Sequence, residues 1–162
     1  MSPSSLDFTA DHPLTSAIQL LGWPEASRAQ AFARWLESLS LTHQLKPETV
    51  RAASADASFR RYFRVDTDEA SLIIMDAPPD KENSQPFVDI AALMRTAGLL
   101  VPEVLAWDPA QGFMLLDDLG QDTMMQALDV TKPEKNQGLF ERSLDALLCW
   151  QQASRVGVLP PY

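Results

Sequence analysis

Residues 54–76 read SADASFRRYFRVDTDEASLIIMD, and their order decides the fold. Phe59, Arg61, Phe63 and Val65 alternate with Arg60, Tyr62 and Arg64, the period of two that marks a half-buried strand. Asp66 to Ala70 is polar and turn-like. Ser71-Leu72-Ile73-Ile74-Met75 then forms a short apolar strand, halted by Pro78-Pro79. Just upstream, Glu48 to Ala53 reads as a strand, which leaves the small residues Ser54, Ala55, Asp56, Ala57 and Ser58 as a hairpin loop.

Downstream of these three strands, Phe87, Ile90, Ala91, Met94 and Ala97 share one face of a helix capped by Gly98. Val104 to Trp107 and Phe113 to Leu116, joined by a turn through Asp108-Pro109-Ala110-Gln111-Gly112, read as an antiparallel pair. A segment with Met124, Met125 and Leu128 leads to a long helix from about Pro133, with Phe140, Leu144, Leu147 and Leu148 on its face. Upstream, Leu14, Ala17, Ile18 and Leu21 stripe a first helix that Gly22-Trp23-Pro24 ends. Phe32, Trp35, Leu36 and Leu39 stripe a second, from about Ser27 to before Pro47. The expected fold class is α+β, with a five-stranded antiparallel sheet and one helix inserted after the third strand. That is the order of the small lobe of protein-kinase-like folds, here preceded by two helices and followed by the first large-lobe helices. The expected partition is a helical brace over 1–47, the small lobe over 48–120 with a hinge at 116–120, and the start of a second lobe over 121–162.

The chain has 162 residues, 46% hydrophobic and 22% charged, enough for a sizeable core. Its net charge of −9 argues against a surface built for nucleic-acid phosphates or anionic lipid. Any anionic ligand must therefore meet a local basic cluster. Cys149 is the only cysteine, which excludes a disulfide framework within the chain and a cysteine zinc site, and fits a reducing cytoplasm. The N-terminus lacks the basic and apolar regions of a signal peptide, and no run of 18 apolar residues occurs, so the protein is expected to be neither secreted nor membrane-spanning. His12 and His43 have no partners at metal-ligand spacing and read as solvated.

The 54–58 loop joins small residues to the arginines at 60, 61 and 64. Small residues let backbone N–H groups approach a phosphate, and guanidinium forks bind phosphate oxygens in pairs. An ordinary hairpin with solvated arginines would share this spacing, since neither GxGxxG nor GxxxxGKS is present.

The strings SADASFRRYFRV, LIIMDAPPDKENSQPFVDIA, GFMLLDDLG and LPPY closely resemble the bacterial anomeric amino-sugar kinases of the aminoglycoside phosphotransferase family. The resemblance covers about residues 28–162. It implies a sugar kinase of cell-wall salvage that uses ATP and Mg²⁺, acting on N-acetylmuramate or N-acetylglucosamine. It also makes Ser54 to Arg61 the loop over the nucleotide phosphates. Met75 falls near the place where a protein kinase carries its phosphate-binding lysine. With no lysine there, phosphate contacts would rest on backbone groups and on Arg60, Arg61 or Arg64. Asp76 reads either as a sugar- or metal-facing carboxylate or as a turn cap. Asp117, Asp118 and Leu119 correspond to the hinge whose main chain meets the adenine edge. The two aspartates also read as solvated turn carboxylates, and Asp89 as surface.

No HxDxxxxN-like loop and no later acidic motif occur, so no catalytic residue is assigned, and the Mg²⁺ ligands are expected outside this chain. The sequence reads as the N-terminal portion of such a kinase, with ATP and an amino sugar as partners of the complete enzyme. Self-association through exposed large-lobe helix surface is also expected. The competing reading is a non-catalytic nucleotide-binding or regulatory module on the same scaffold.

Overall fold

A computed structural model describes residue 18 and residues 20–55, 59–154 and 157–159. In chain order the elements are α1 (Ala26–Ser40), β1 (Lys46–Ala55), β2 (Arg61–Asp66), β3 (Ser71–Asp76), α2 (Gln85–Thr96), β4 (Val104–Asp108), β5 (Phe113–Asp117), α3 (Met124–Ala127), a 3-10 turn (Pro133–Asn136) and α4 (Gln137–Ala153). Of the helix expected over 14–21, residues 18, 20 and 21 are described; Ile18 is buried in the core and Leu21 packs against it. Two compact units result: residues up to 83 with 104–117, and residues 84–103 with 118–162.

The first unit is built on a five-stranded sheet in the order β1-β2-β3-β5-β4, every neighbouring pair antiparallel. This is the expected α+β architecture. Strand alternation puts Phe63 and Val65, Ile74, and Phe113 and Leu115 on one face, each essentially without solvent exposure. Phe63, Ile74 and Leu115 line up in register across β2, β3 and β5. Helix α1 lays Ala29, Phe32, Ala33 and Leu36 on this face, the spacing i, i+3, i+4, i+7 of a single apolar stripe. The Phe32 ring centroid lies 4.9 Å from Trp23, 5.3 Å from Phe63 and 5.5 Å from Phe113. Burying such a side chain contributes about 1.5–3 kcal/mol, and α1 supplies Ala29, Phe32, Ala33, Trp35 and Leu36 to the core. A boundary at residue 47 would therefore cut through one unit. Gln44, at φ 54°, turns the chain from α1 into β1.

The opposite sheet face carries Tyr62, Arg64, Ile73, Met75, Met114 and Leu116, of which Met75 and Met114 are fully buried. Strand β1 runs to Ala55, two residues beyond the sequence expectation, because Ser54 pairs with Tyr62 and Ala55 with Arg61. Strand β2 correspondingly begins at Arg61, and Phe59, expected to point inward, is 64% exposed.

In the second unit α2 buries Ala91 and Met94, while Phe87 and Ile90 are half-buried and Asp89 is exposed. Gly98, at φ 83°, ends the helix as its sequence position indicates. Its N–H donates to the Arg95 carbonyl at 2.9 Å, and that of Leu99 to the Met94 carbonyl at 3.0 Å. Thr123 and Gln126 form a capping box on α3. The Cys149 thiol of α4 donates to the Ala97 carbonyl at 3.1 Å. Residues 84–103 gather with 118–162.

Candidate functional site

The end of the sheet where β1 passes toward β2 carries a row of four residues in register, Ala55, Arg61, Asp76 and Phe113, one from each of β1, β2, β3 and β5. Asp76 shares the parity of Leu72 and Ile74 and so faces α1, where it is 1% exposed. A carboxylate at such a depth persists when cations reach it. Two do. Arg28 of α1 donates through Nε to Oδ1 at 2.9 Å and also through Nη2, and Arg61 donates through Nε to Oδ2 at 3.1 Å.

Both guanidiniums are further fixed. The Arg28 Nη2 donates to the Gln111 carbonyl at 2.9 Å, and its guanidinium lies 4.7 Å from the Phe113 ring centroid. The Arg61 Nη1 donates to the Gly22 carbonyl at 2.9 Å, and its guanidinium stacks 3.8 Å from the Trp23 ring. Both oxygens of Asp76 are thus engaged by arginines. A cleft of about 830 Å³ adjoins this cluster. Its charged lining is Arg28, Arg61 and Lys81 against Glu25, Asp76 and Asp80, three of each sign, which gives no net attraction for a phosphate.

The arginines of the loop region thus separate by face. Arg61 stands on the α1 side, and Met75 on the other. Arg60, with the parity of Tyr62 and Arg64, ion-pairs through Nη2 with Glu82 at 3.2 Å. Ser54 is exposed and, like Ala55, belongs to β1; Asp56, Ala57 and Ser58 lie outside the described residues. Met75 has no exposed surface to offer a ligand. Asp117 ends β5 in register with Leu72. In the second unit Asp118 accepts the Gly120 N–H at 3.0 Å, and Leu119 is 50% exposed. Among the described residues no group of three or more His, Cys, Asp or Glu side chains is placed to hold a metal ion. No described helix is long and apolar enough to cross a membrane.

Arg28 escaped the sequence reading although a signal was available. It lies four and eight residues before Phe32 and Leu36 on the buried stripe, and Asp76 continues the inward parity of β3. A charge on each of two facing apolar surfaces is the mark of a buried pair.

A small-lobe sheet with a strand-turn-strand loop beside arginines defines the class of the chain as kinase-like. The model of the phosphotransferase enzyme family matches residues 49–161, and the chain belongs to this family. Within it, the chain is similar to proteins named N-acetylmuramate/N-acetylglucosamine kinase. It is 48% identical to the one from Pseudomonas aeruginosa over 119 residues, 74% of this chain and 34% of that protein. It is 46% identical to the one from Pseudomonas putida over 114 residues, 70% of this chain and 33% of the other. For Neisseria meningitidis the figures are 41% over 112 residues, 68% and 33%. The chain spans about a third of the length of the curated relatives it matches.

Proposed function

We propose that this chain is the ATP-binding, N-terminal part of a sugar kinase. The complete enzyme transfers a phosphoryl group from ATP to the anomeric hydroxyl of N-acetylmuramate or N-acetylglucosamine, a cytoplasmic step of cell-wall recycling. The observation that carries the reading is the 48% identity to a kinase of that name across most of the chain. The sheet order and the inserted helix agree with it.

In this reading main-chain groups of residues 54–58 cradle the phosphates and Arg60 supplies the nearby cation. Arg61, whose Nε and Nη1 donate to Asp76 and Gly22 while Nη2 has no hydrogen-bond partner among the described residues, is the second candidate cation beside Arg60, which ion-pairs with Glu82. Met75, being buried, is left out of the contacts. Main-chain groups of 117–119 take the adenine edge, as the family resemblance implies. Mg²⁺ supplies charge neutralisation for the transferred phosphoryl group when bound, and its ligands come from parts of the enzyme outside these residues. The exposed apolar face of α4 is the surface proposed for self-association.

The test is fluorescence titration of the 162-residue protein with trinitrophenyl-ATP, displaced by ATP. A coupled assay of ADP release with ATP, Mg²⁺ and either sugar runs beside it. Displaceable binding without sugar-dependent turnover is expected, since the sequence contains no HxDxxxxN loop. Absence of displaceable binding would refute the nucleotide assignment, and turnover at the rate of a full-length relative would refute the division of labour.

A further inference from the structure

We propose that the cleft beside the Asp76 cluster binds a small zwitterion, an amino acid with an aromatic side chain, through its carboxylate, its ammonium and its ring. All of the lining belongs to the first unit and to the described residues. Its volume of about 830 Å³ lies within the range of small-molecule sites, about 300–1,000 Å³. The proposal stands apart from the nucleotide reading and does not depend on it.

The charges of the cleft are sorted by depth. Asp76, Arg28 and Arg61 form the floor, with side chains 2%, 19% and 26% exposed, so one carboxylate meets two guanidiniums and a positive charge is left over. Donors accompany that surplus. Arg28 Nη1 donates to none of the described residues, and the buried Arg61 Nη2 likewise has no acceptor among them. A ligand carboxylate at Arg28 supplies an acceptor and forms a charge-assisted bond, stronger than a neutral one. The rim has the opposite balance. Lys81, 52% exposed, is outnumbered by Asp80, 71% exposed, and by the exposed Glu25. The Glu25 side chain caps no backbone N–H of α1 and accepts the Ser27 hydroxyl at 3.3 Å, which leaves the carboxylate able to take an ammonium.

A positive floor below a negative rim matches a ligand with one anionic and one cationic end. A phosphate group, carrying a charge of about −1.5 to −2, would exceed the surplus of the floor and face the carboxylates of the rim. The third element is apolar. Phe59 offers a ring that is 64% exposed, and Pro24, Ala31 and Pro78 line the same cleft. An accessible aromatic ring is a stacking surface for a second ring, which selects an aromatic amino acid over a small polar one.

The experiment titrates the isotope-labelled 162-residue protein with L-phenylalanine, phenylpropionate, phenethylamine, L-alanine and inorganic phosphate, following NMR amide shifts. Saturable shifts at residues 25–31, 59–61 and 80–81 are expected with L-phenylalanine. Phenylpropionate, phenethylamine and L-alanine each lack one of the three recognised groups, and their dissociation constants should be larger by about fivefold or more. Two variants at exposed positions check the assignment without disturbing the core. Phe59→Ala should raise the constant for L-phenylalanine by about fivefold or more. Glu25→Gln should raise it by about threefold or more while leaving that for phenylpropionate unchanged or lower, since only the ammonium loses its partner. The proposal is overturned by the absence of saturable shifts up to about 10 mM L-phenylalanine, by phosphate binding at these residues as tightly as L-phenylalanine, or by a constant for L-phenylalanine within twofold of the parent's in either variant.

Discussion

The amide of Ala77 donates to the carbonyl of Gly112 at 2.9 Å, and a Cβ built on Gly112 would stand 1.9 Å from the carbonyl oxygen of Ala77. The β4-β5 turn is thus laid against the residue that follows Asp76, with no room for a side chain. Gly112 also sits at φ 72°, the left-handed region that other residues enter at a cost of about 1–2 kcal/mol. Adding the overpacking term of about 1–3 kcal/mol, Gly112→Ala should destabilise the protein by about 2–5 kcal/mol. Urea denaturation checks this, and a loss below about 1 kcal/mol would show that the turn moves away from Ala77 at little cost.

Phe32 is the residue at which α1 and the sheet meet, with three aromatic neighbours and no exposed surface. Phe32→Ala is expected to cost about 3–5 kcal/mol, the range for a truncated core aromatic. If α1 were an outer brace, the same substitution would change the urea midpoint only slightly. The measurement therefore separates the two descriptions of residues 26–40.

Most of the sheet was legible because β2 obeys a period of two, β3 and β5 are short apolar runs bounded by turn residues, and Gly98 and the 108–112 turn announce themselves by residue type. Three features were not legible, each for a physical reason. The role of α1 was hidden because an amphipathic stripe shows that a face is buried but not against what. The grouping of α2 with 118–162 depends on tertiary contacts, which local pattern does not encode. At the candidate site, the alternation of Arg60 and Arg61 told that they face opposite ways, but only Asp76 and its second partner Arg28, 48 positions apart, decide which way. A charge on an apolar stripe marks each member of such a pair, but local spacing does not tell which other stripe it faces.

Asp129 titrates below the ordinary carboxylate range. The Thr131 hydroxyl donates to its Oδ1 at 2.7 Å, the Thr131 N–H at 3.0 Å and the Lys132 N–H at 3.1 Å, each favouring the charged form. A depressed folded-state value means that this loop's contribution to stability is complete above the unfolded value and is lost as pH falls through the folded one. Thr131→Val removes the hydroxyl bond, the largest cause, and should move the Asp129 midpoint upward toward the ordinary range. Carboxyl-carbon NMR titration between pH 2 and about 6 reads the shift directly. An unmoved midpoint would assign the depression to the two backbone donors alone.

Helix α4 leaves Phe140 49%, Leu144 58%, Leu147 41% and Leu148 55% exposed, at positions i, i+4, i+7 and i+8 of one stripe. Single apolar side chains on a surface are ordinary, but four in a continuous row form a patch that water disfavours and that another apolar surface covers. At roughly 25 cal/mol per Å² of apolar area removed from water, mutual burial of two such rows offsets part of the entropy cost of association without guaranteeing a tight dimer. The expected result is therefore weak, concentration-dependent self-association of the 162-residue protein in sedimentation velocity. Leu144→Glu with Leu148→Glu places like charges on both copies of the stripe and should return the protein to a monomer, while the urea midpoint stays close to the parent's because neither side chain is buried. Parent protein that sediments as a monomer up to about 100 μM, well above the micromolar affinities of weak specific interfaces, would show that α4 carries its apolar row in solution without a second copy.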